Sequence, residues 1–364
     1  TLTFTVGLTA ANDGGTDTET KADYISVIPL APVADFSATP VSGTTPLTVT
    51  FSDESTNSPT SWSWDFGDDA TSAEQNPTHT YQNAGGTTLT FTVSLTATND
   101  GGTDTATKPD YITVTPPAPV AEFSASPASG TTPLTVTFSD QSANSPTSWS
   151  WDFGDGAAST EQNPTHTYQN SGGTTLTFTV SLTATNDGGS DTETKADYIT
   201  VIPPAPVADF SAAPTSGTTP LTVTFSDQST NSPTSWNWDF GDGGTSIEQN
   251  PSHTYENSGG TTLTFTVSLT AANDGGSDTA TKPDYITVTP LVPVADFTAS
   301  PTSGTTPLTV AFSDLSANHP TSWTWDFGDG ATSTEQNPVH TYENSGGTTL
   351  TFTVSLTAAN DGGS

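Results

Sequence analysis

Along residues 47–53, "LTVTFSD", apolar Leu47, Val49 and Phe51 alternate with Thr48, Thr50 and Ser52. A period of two places each set on its own face and predicts a half-buried strand. The longest such run, residues 88–98, turns Leu89, Phe91, Val93, Leu95 and Ala97 one way and threonines or serine the other. It enters Asn99-Asp100-Gly101-Gly102, whose glycines are free to take positive φ, so a hairpin turn is expected there. A final strand follows over residues 111–114, "YITV". No segment has helical periodicity, and short strands at this spacing predict an all-β, two-sheet sandwich.

The pattern recurs. Trp64, Trp151, Trp238 and Trp325 are separated by a constant step of 87 residues, as are Phe36, Phe123, Phe210 and Phe297. The chain is therefore a tandem array. A unit of that length can close a small core of its own, so beads on a string are expected rather than a solenoid. Pro-rich joints such as "IPLAPVADF" and "TPPAPVAEF" divide it into residues 1–31, 32–118, 119–205, 206–292 and 293–364. Proline fixes φ and favours extended chain, which predicts short, semi-rigid linkers. At ~3.3 Å per residue a ten-residue strand makes each bead roughly 33 Å long, so four in line would exceed ~130 Å as a rod.

Residues 1–31 hold only the last strands of a bead, and residues 293–364 lack a final strand. Residues 1–16 nearly repeat residues 349–364, so both ends fall at one phase of the repeat. A window on a longer array is the expectation. The alternative is a head-to-tail filament in which residues 17–29 of one chain complete the last bead of the next by strand addition.

Charge narrows the function. The chain has 39 acidic residues against four lysines, Lys21, Lys108, Lys195 and Lys282, and a net charge of −35. Nucleic acid and anionic membranes both require a cationic face, so neither is expected as a partner. No cysteine is present, which removes disulfides, thiolate metal sites and a cysteine nucleophile. No apolar run reaches membrane-span length, so no insertion is expected in this segment. Outward faces are almost wholly Thr and Ser. Asn76-Pro77-Thr78 and its counterparts carry proline in the middle position, which blocks N-glycosylation and leaves O-linked glycans as the expected modification.

Chemistry concentrates in Trp62-Ser-Trp-Asp-Phe-Gly-Asp68, "WSWDFGD", which returns once per bead. Trp62, Trp64 and Phe66 share parity and face one way. Trp64, Trp151, Trp238 and Trp325 are expected in the core, as a sandwich tryptophan is. Trp62, Trp149, Trp236 and Trp323 lie nearer the strand entrance. If exposed, they would stack on sugar and make the array multivalent. Asp68 is placed to bond the N–H groups of its own turn. Converging loops would let Asp53, Asp65 and Asp68 supply part of a Ca²⁺ shell, although no loop with ligands at alternate positions is present. No other cofactor is expected. His79, His166, His253 and His340 recur in Asn-Pro-x-His-x-Tyr (Asn76 to Tyr81 in the first copy), each without a second ligand nearby, and are expected as hydrogen-bonded sandwich residues. Lys108 and its equivalents are expected in a surface ion pair of little worth; a lysine–asparagine cross-link has no placed partner. The Ser and Asp residues fill turns in every copy, so no catalytic triad is expected and the chain is read as no enzyme.

The WDFGD motif, NPTHTY at 76–81, FTVSLTATNDGG at 91–102 and DYITV at 110–114 together resemble the polycystic kidney disease (PKD) domain. The likeness covers nearly the whole chain in four copies. It departs at Asp69, where the other copies have glycine, and in a longer loop at 81–93. The resemblance implies immunoglobulin-like sandwiches of an extracellular, cell-surface protein, serving as spacers or interaction modules, and is similar to arrays in archaeal and bacterial surface or adhesin-like proteins. The expected function is a non-enzymatic structural rod or filament whose partner is itself. The alternatives are an adhesin stalk that binds polysaccharide or matrix, and the accessory region of a secreted hydrolase.

Overall fold

The structure, a computed structural model, describes residues 1–364, which form thirty-two strands and no helix. The chain divides into two compact units: Thr1–Ala128, Thr135–Tyr168 and Thr177–Thr200 make the first, and Ser129–Leu134, Gln169–Leu176 and Val201–Ser364 the second.

The first unit opens on a hairpin of β1 (Leu2–Asn12) and β2 (Gly15–Val27). Its apolar positions match those of the long strand of a complete domain, yet Leu2, Phe4 and Leu8 are 68%, 50% and 71% exposed because residues 1–31 carry no second sheet to cover them. A complete sandwich follows, built from β3 (Phe36–Thr39), β4 (Ser42–Thr44), β5 (Leu47–Asp53), β6 (Ser61–Asp65), β7 (Thr71–Ser72), β8 (Thr78–Tyr81), β9 (Leu89–Asn99) and β10 (Gly102–Thr115). One sheet has the order β3-β5-β8 and the other β4-β10-β9-β6-β7. All pairings are antiparallel except that of β4 with β10.

The alternation seen in the sequence sets the layers. Leu47, Val49 and Phe51 of β5 and Val93, Leu95 and Ala97 of β9 are buried, and the threonines between them face outward. Outward threonines bond in cross-strand pairs, Thr48 with Thr80 at 2.9 Å and Thr96 with Thr105 at 2.8 Å. In β10 the alternation breaks: the register shifts between Lys108 and Ile112, with Asp110 at φ +50°. The bulge takes up two extra residues, so Ala106 and Lys108 before it and Ile112 and Val114 after it all face the core side. Between the sheets Trp64 is fully buried, with Phe36 edge-on at 5.2 Å and Phe51 tilted at 5.4 Å. Each large apolar side chain so enclosed contributes roughly 1.5–3 kcal/mol.

The second unit contains a full sandwich whose strands run from Phe210–Ala213 to Gly276–Thr289 in the same two strand orders, and its core centres on Trp238, Phe210 and Phe225. The sandwich from residue 293 has two three-stranded sheets. It lacks the strand equivalent to β10, and its core thins accordingly: Tyr342 is 8% exposed where Tyr81 is 0%.

Tyr81 ties the end of β8 to the opposite sheet, its hydroxyl donating to the buried Phe66 carbonyl at 3.1 Å. Tyr81→Phe leaves that carbonyl without its partner. We expect a loss of about 1–3 kcal/mol in the stability of this domain alone. Calorimetry of the chain would show one transition moved to lower temperature and the others unmoved; an unmoved profile would show that the bond contributes nothing.

Candidate functional site

The recurrent motif occupies β6 and the turn after it. Trp64 donates its indole N–H to the Glu74 carbonyl at 2.9 Å, so both the ring and its polar edge are satisfied inside the domain. Trp62, on the same face near the strand entrance, is partly buried against the core. Its indole N–H donates to Asp53 Oδ2 at 2.7 Å, and Gln75 Nε2 donates to the same oxygen at 3.0 Å. Trp149–Asp140, Trp236–Asp227 and Trp323–Asp314 repeat the bond at 2.8 Å. The four outer tryptophans therefore present part of a ring face and no free N–H. Asp53 and Gln75 as holders of Trp62 are not apparent from the sequence; the one hint is their fixed offset from the tryptophan in every copy.

The three carboxylates considered for calcium do not form a shell. Asp53 Oδ1 accepts from the Ser55 N–H at 3.0 Å, Asp65 Oδ1 from the Gly67 N–H at 2.9 Å, and Asp68 Oδ1 from the Ala70 N–H at 3.2 Å. Each is committed to its own turn, and no group of three or more His, Asp or Glu side chains is placed to hold a metal ion. The remaining oxygen of Asp68 meets His79 Nε2 at 2.7 Å. His79 stacks on Phe66 with centroids 4.4 Å apart and planes 3° apart. His166, His253 and His340 pair with Asp155, Asp242 and Asp329 in the same way, and no serine or threonine hydroxyl bonds any of them. The arrangement holds a turn against a sheet.

Lys108 does more than form a surface ion pair. Its ammonium lies 3.2 Å from Asp35, donates to the Phe36 carbonyl, and sits 4.7 Å above the Phe36 ring and 5.3 Å from that of Tyr111. It fastens β10 to the start of β3. Lys195 and Lys282 do the same through Glu122 and Asp209. The Phe36 N–H, with the Lys108 ammonium, holds the Asp35 carboxyl below its usual range.

The β9–β10 turn governs the linker. Asn99 donates through Nδ2 to Leu30 O at 2.9 Å and Asn57 O at 2.8 Å, while its Oδ1 accepts the Gly101 N–H at 2.7 Å. Asn57 Nδ2 donates to Ala31 O, and Asp104 accepts the Ala34 N–H, both at 2.9 Å. A Cβ on Gly101 would run into the Pro29 carbonyl and lie 2.8 Å from the Leu30 carbonyl carbon, so glycine is needed for the linker to pass. Asn186 with Pro117 and Asn273 with Pro204 repeat the arrangement. The linker is pinned to the domain that follows it, a restraint added to the stiffness of proline itself.

Burial pushes the Asp53 carboxyl up, but hydrogen bonds from Ser55, Gln75 and Trp62 outweigh it and hold it low; Asp140, Asp227 and Asp314 behave alike. A depressed folded-state value contributes stability that is complete above the unfolded carboxylate value of about 3.9 and is lost as pH falls through the folded one. Replacing all four with asparagine is expected to lower stability at neutral pH and flatten its fall below pH ~4, followed by tryptophan fluorescence. An acid limb as steep as the parent's would overturn this assignment.

The PKD domain family matches residues 29–114, 115–201, 203–288 and 289–364, each match beginning in a Pro-rich segment and grouping the linker with the domain after it. The PKD1 domain of Vibrio anguillarum Epp is 33% identical over 24% of this chain and 96% of that domain, with a TM-score of 0.20. The PKD1 domain from the Vibrio cholerae metalloprotease PrtV is 34% identical over 23% of this chain and 98% of that domain, with a TM-score of 0.19. A three-immunoglobulin-domain fragment of titin is 15% identical over 72% of this chain and 99% of the fragment, with a TM-score of 0.41. With four consecutive matches over nearly its whole length, the chain belongs to the PKD domain family.

Proposed function

We propose that this chain is a non-enzymatic structural array of an extracellular protein, acting as a rod or filament segment that sets distance. The observation that carries the reading is the internal use of the recurrent chemistry. In every copy the aromatic, acidic and histidine side chains of the motif bond their own domain, as Trp62, Asp68 and His79 do in the first. Such groups hold a shape and leave little to hold a ligand. PKD domains occur in extracellular and secreted proteins, and the absence of cationic faces suits a hydrated exterior. The hydroxyl-rich outer faces are then the surface presented to water or to O-linked glycans.

The adhesin reading rests on the outer tryptophans as sugar platforms. The bond from each indole N–H to an aspartate favours the structural reading over it.

Electron imaging of the chain tests the proposal. Extended particles with subunits spaced at roughly 33 Å, the length of a ten-residue strand, are the expected result. Compact particles would sink it, and polysaccharide binding that is abolished by Trp62→Ala and its three counterparts would transfer the function to the adhesin reading.

A further inference from the structure

Beyond the pinned linker, consecutive domains meet at a second place. In the first unit, the loop Asn83–Thr88 meets the Asn-Asp-Gly-Gly turn of the next domain. The Asp187 N–H donates to Gly86 O at 3.1 Å, and the Thr88 N–H donates to Asp187 Oδ2 at 2.7 Å. In the second unit, Asp274 makes the same two bonds with Gly173 and Thr175 at 3.1 and 2.7 Å, and Asp361 with Gly260 and Thr262 at 3.2 and 2.7 Å. The backbone nitrogen of Thr1, one repeat before Thr88, meets Asp100 at the corresponding position.

Packing singles out one glycine of the loop. A Cβ on Gly86 would collide with the Ser145 carbonyl oxygen and lie 2.7 Å from Thr147 Cγ2, both of the following domain. Gly173 would meet Ser232 and Thr234, and Gly260 would meet His319 and Thr321, in the same way. At Gly347, the same loop position in the last of the described domains, a Cβ meets nothing within 4 Å. None of the four has a φ in the left-handed region, so the loop itself does not require glycine there. The neighbouring glycine of the pair, Gly85, would meet only its own Asn83, at 3.5 Å.

We propose that Gly86, Gly173 and Gly260 form a docking seat whose partner is the Asn-Asp-Gly-Gly turn of the next PKD domain, and that this seat fixes the angle between consecutive domains. The loop and the turn approach closely enough to make one backbone–backbone bond and one backbone–carboxylate bond only because no side chain stands between them. The seat goes beyond the structural reading, since it would orient domains equally in a stalk.

The test uses the full chain. Thr50→Cys and Thr137→Cys, both at exposed positions, carry spin labels in adjacent domains, and electron–electron resonance reads the distribution of their separation. The parent and a Gly347→Val control are expected to give one narrow distribution, and Gly86→Val a broad one with the thermal transitions of the domains kept. As a second variant Asp187→Ala removes one of the two bonds without adding bulk. Amide exchange in the peptide containing Thr88 should then quicken roughly tenfold or more, the consequence of freeing an N–H that a carboxylate had held. A broad distribution in the parent, or a narrow one in Gly86→Val with unchanged exchange in Asp187→Ala, would overturn the seat. A narrow parent distribution in a chain that images as compact particles would leave the seat standing and sink the rod.

Discussion

The interaction on which the rest of each domain depends is the bond from a short Asp or Asn side chain to the backbone N–H two residues on. Five recur in the first complete domain: Asp53 to Ser55, Asp65 to Gly67, Asp68 to Ala70, Asn83 to Gly85 and Asn99 to Gly101. A sandwich of short strands spends much of its chain in turns, whose N–H groups have no ladder partner. Each of these side chains closes a turn with one oxygen. Four of them then use their remaining polar atoms to tie the turn elsewhere. Asp53 holds Trp62, Asp68 holds His79, Asn83 donates to Val114 O, and Asn99 donates to Leu30 O.

At Asp53 and Asp68 this accounts for an acidity that otherwise invites a search for cations. A carboxylate that already accepts two or three N–H bonds is neutralised locally by backbone and side-chain dipoles and has little lone-pair capacity left for an ion. Asp53 is the clearest case, with Ser55, Trp62 and Gln75 all donating to it. The Lys108 ammonium is used in the same economical way, bonding a carbonyl and a carboxylate while lying over two rings. Its position over Phe36 adds to the four-residue pairing with β5 in holding the first strand of the domain.

The fold was legible because its signal is local. Alternation at Leu47–Asp53 and Leu89–Asn99 names the buried face directly, and the parity of Trp62, Trp64 and Phe66 follows from the same rule. Contacts across the sheets have no such signature. Asp53 and Trp62 lie in opposite sheets, and Asn99 reaches a linker 69 residues earlier in the chain. Proline in the linker reads as stiffness, whereas the amide that pins it is one asparagine among many. Gly85 and Gly86 are indistinguishable as letters; only the neighbouring domain separates a turn former from a seat.

The fourth domain shows why a joint of this kind tolerates change. Ser145 and Ser232 each donate a hydroxyl to the preceding loop, at 3.3 and 3.2 Å, but His319 stands at the equivalent position. The side-chain bond disappears there, yet Asp361 still meets Gly260 and Thr262 at 3.2 and 2.7 Å. What survives is the approach of one backbone to another and the carboxylate of the turn. The requirement therefore falls on two positions, the seat glycine and the turn aspartate, and both belong to the same repeat unit. Duplication of that unit copies a seat and the turn that fits it together, so an array can lengthen without any new interface having to arise.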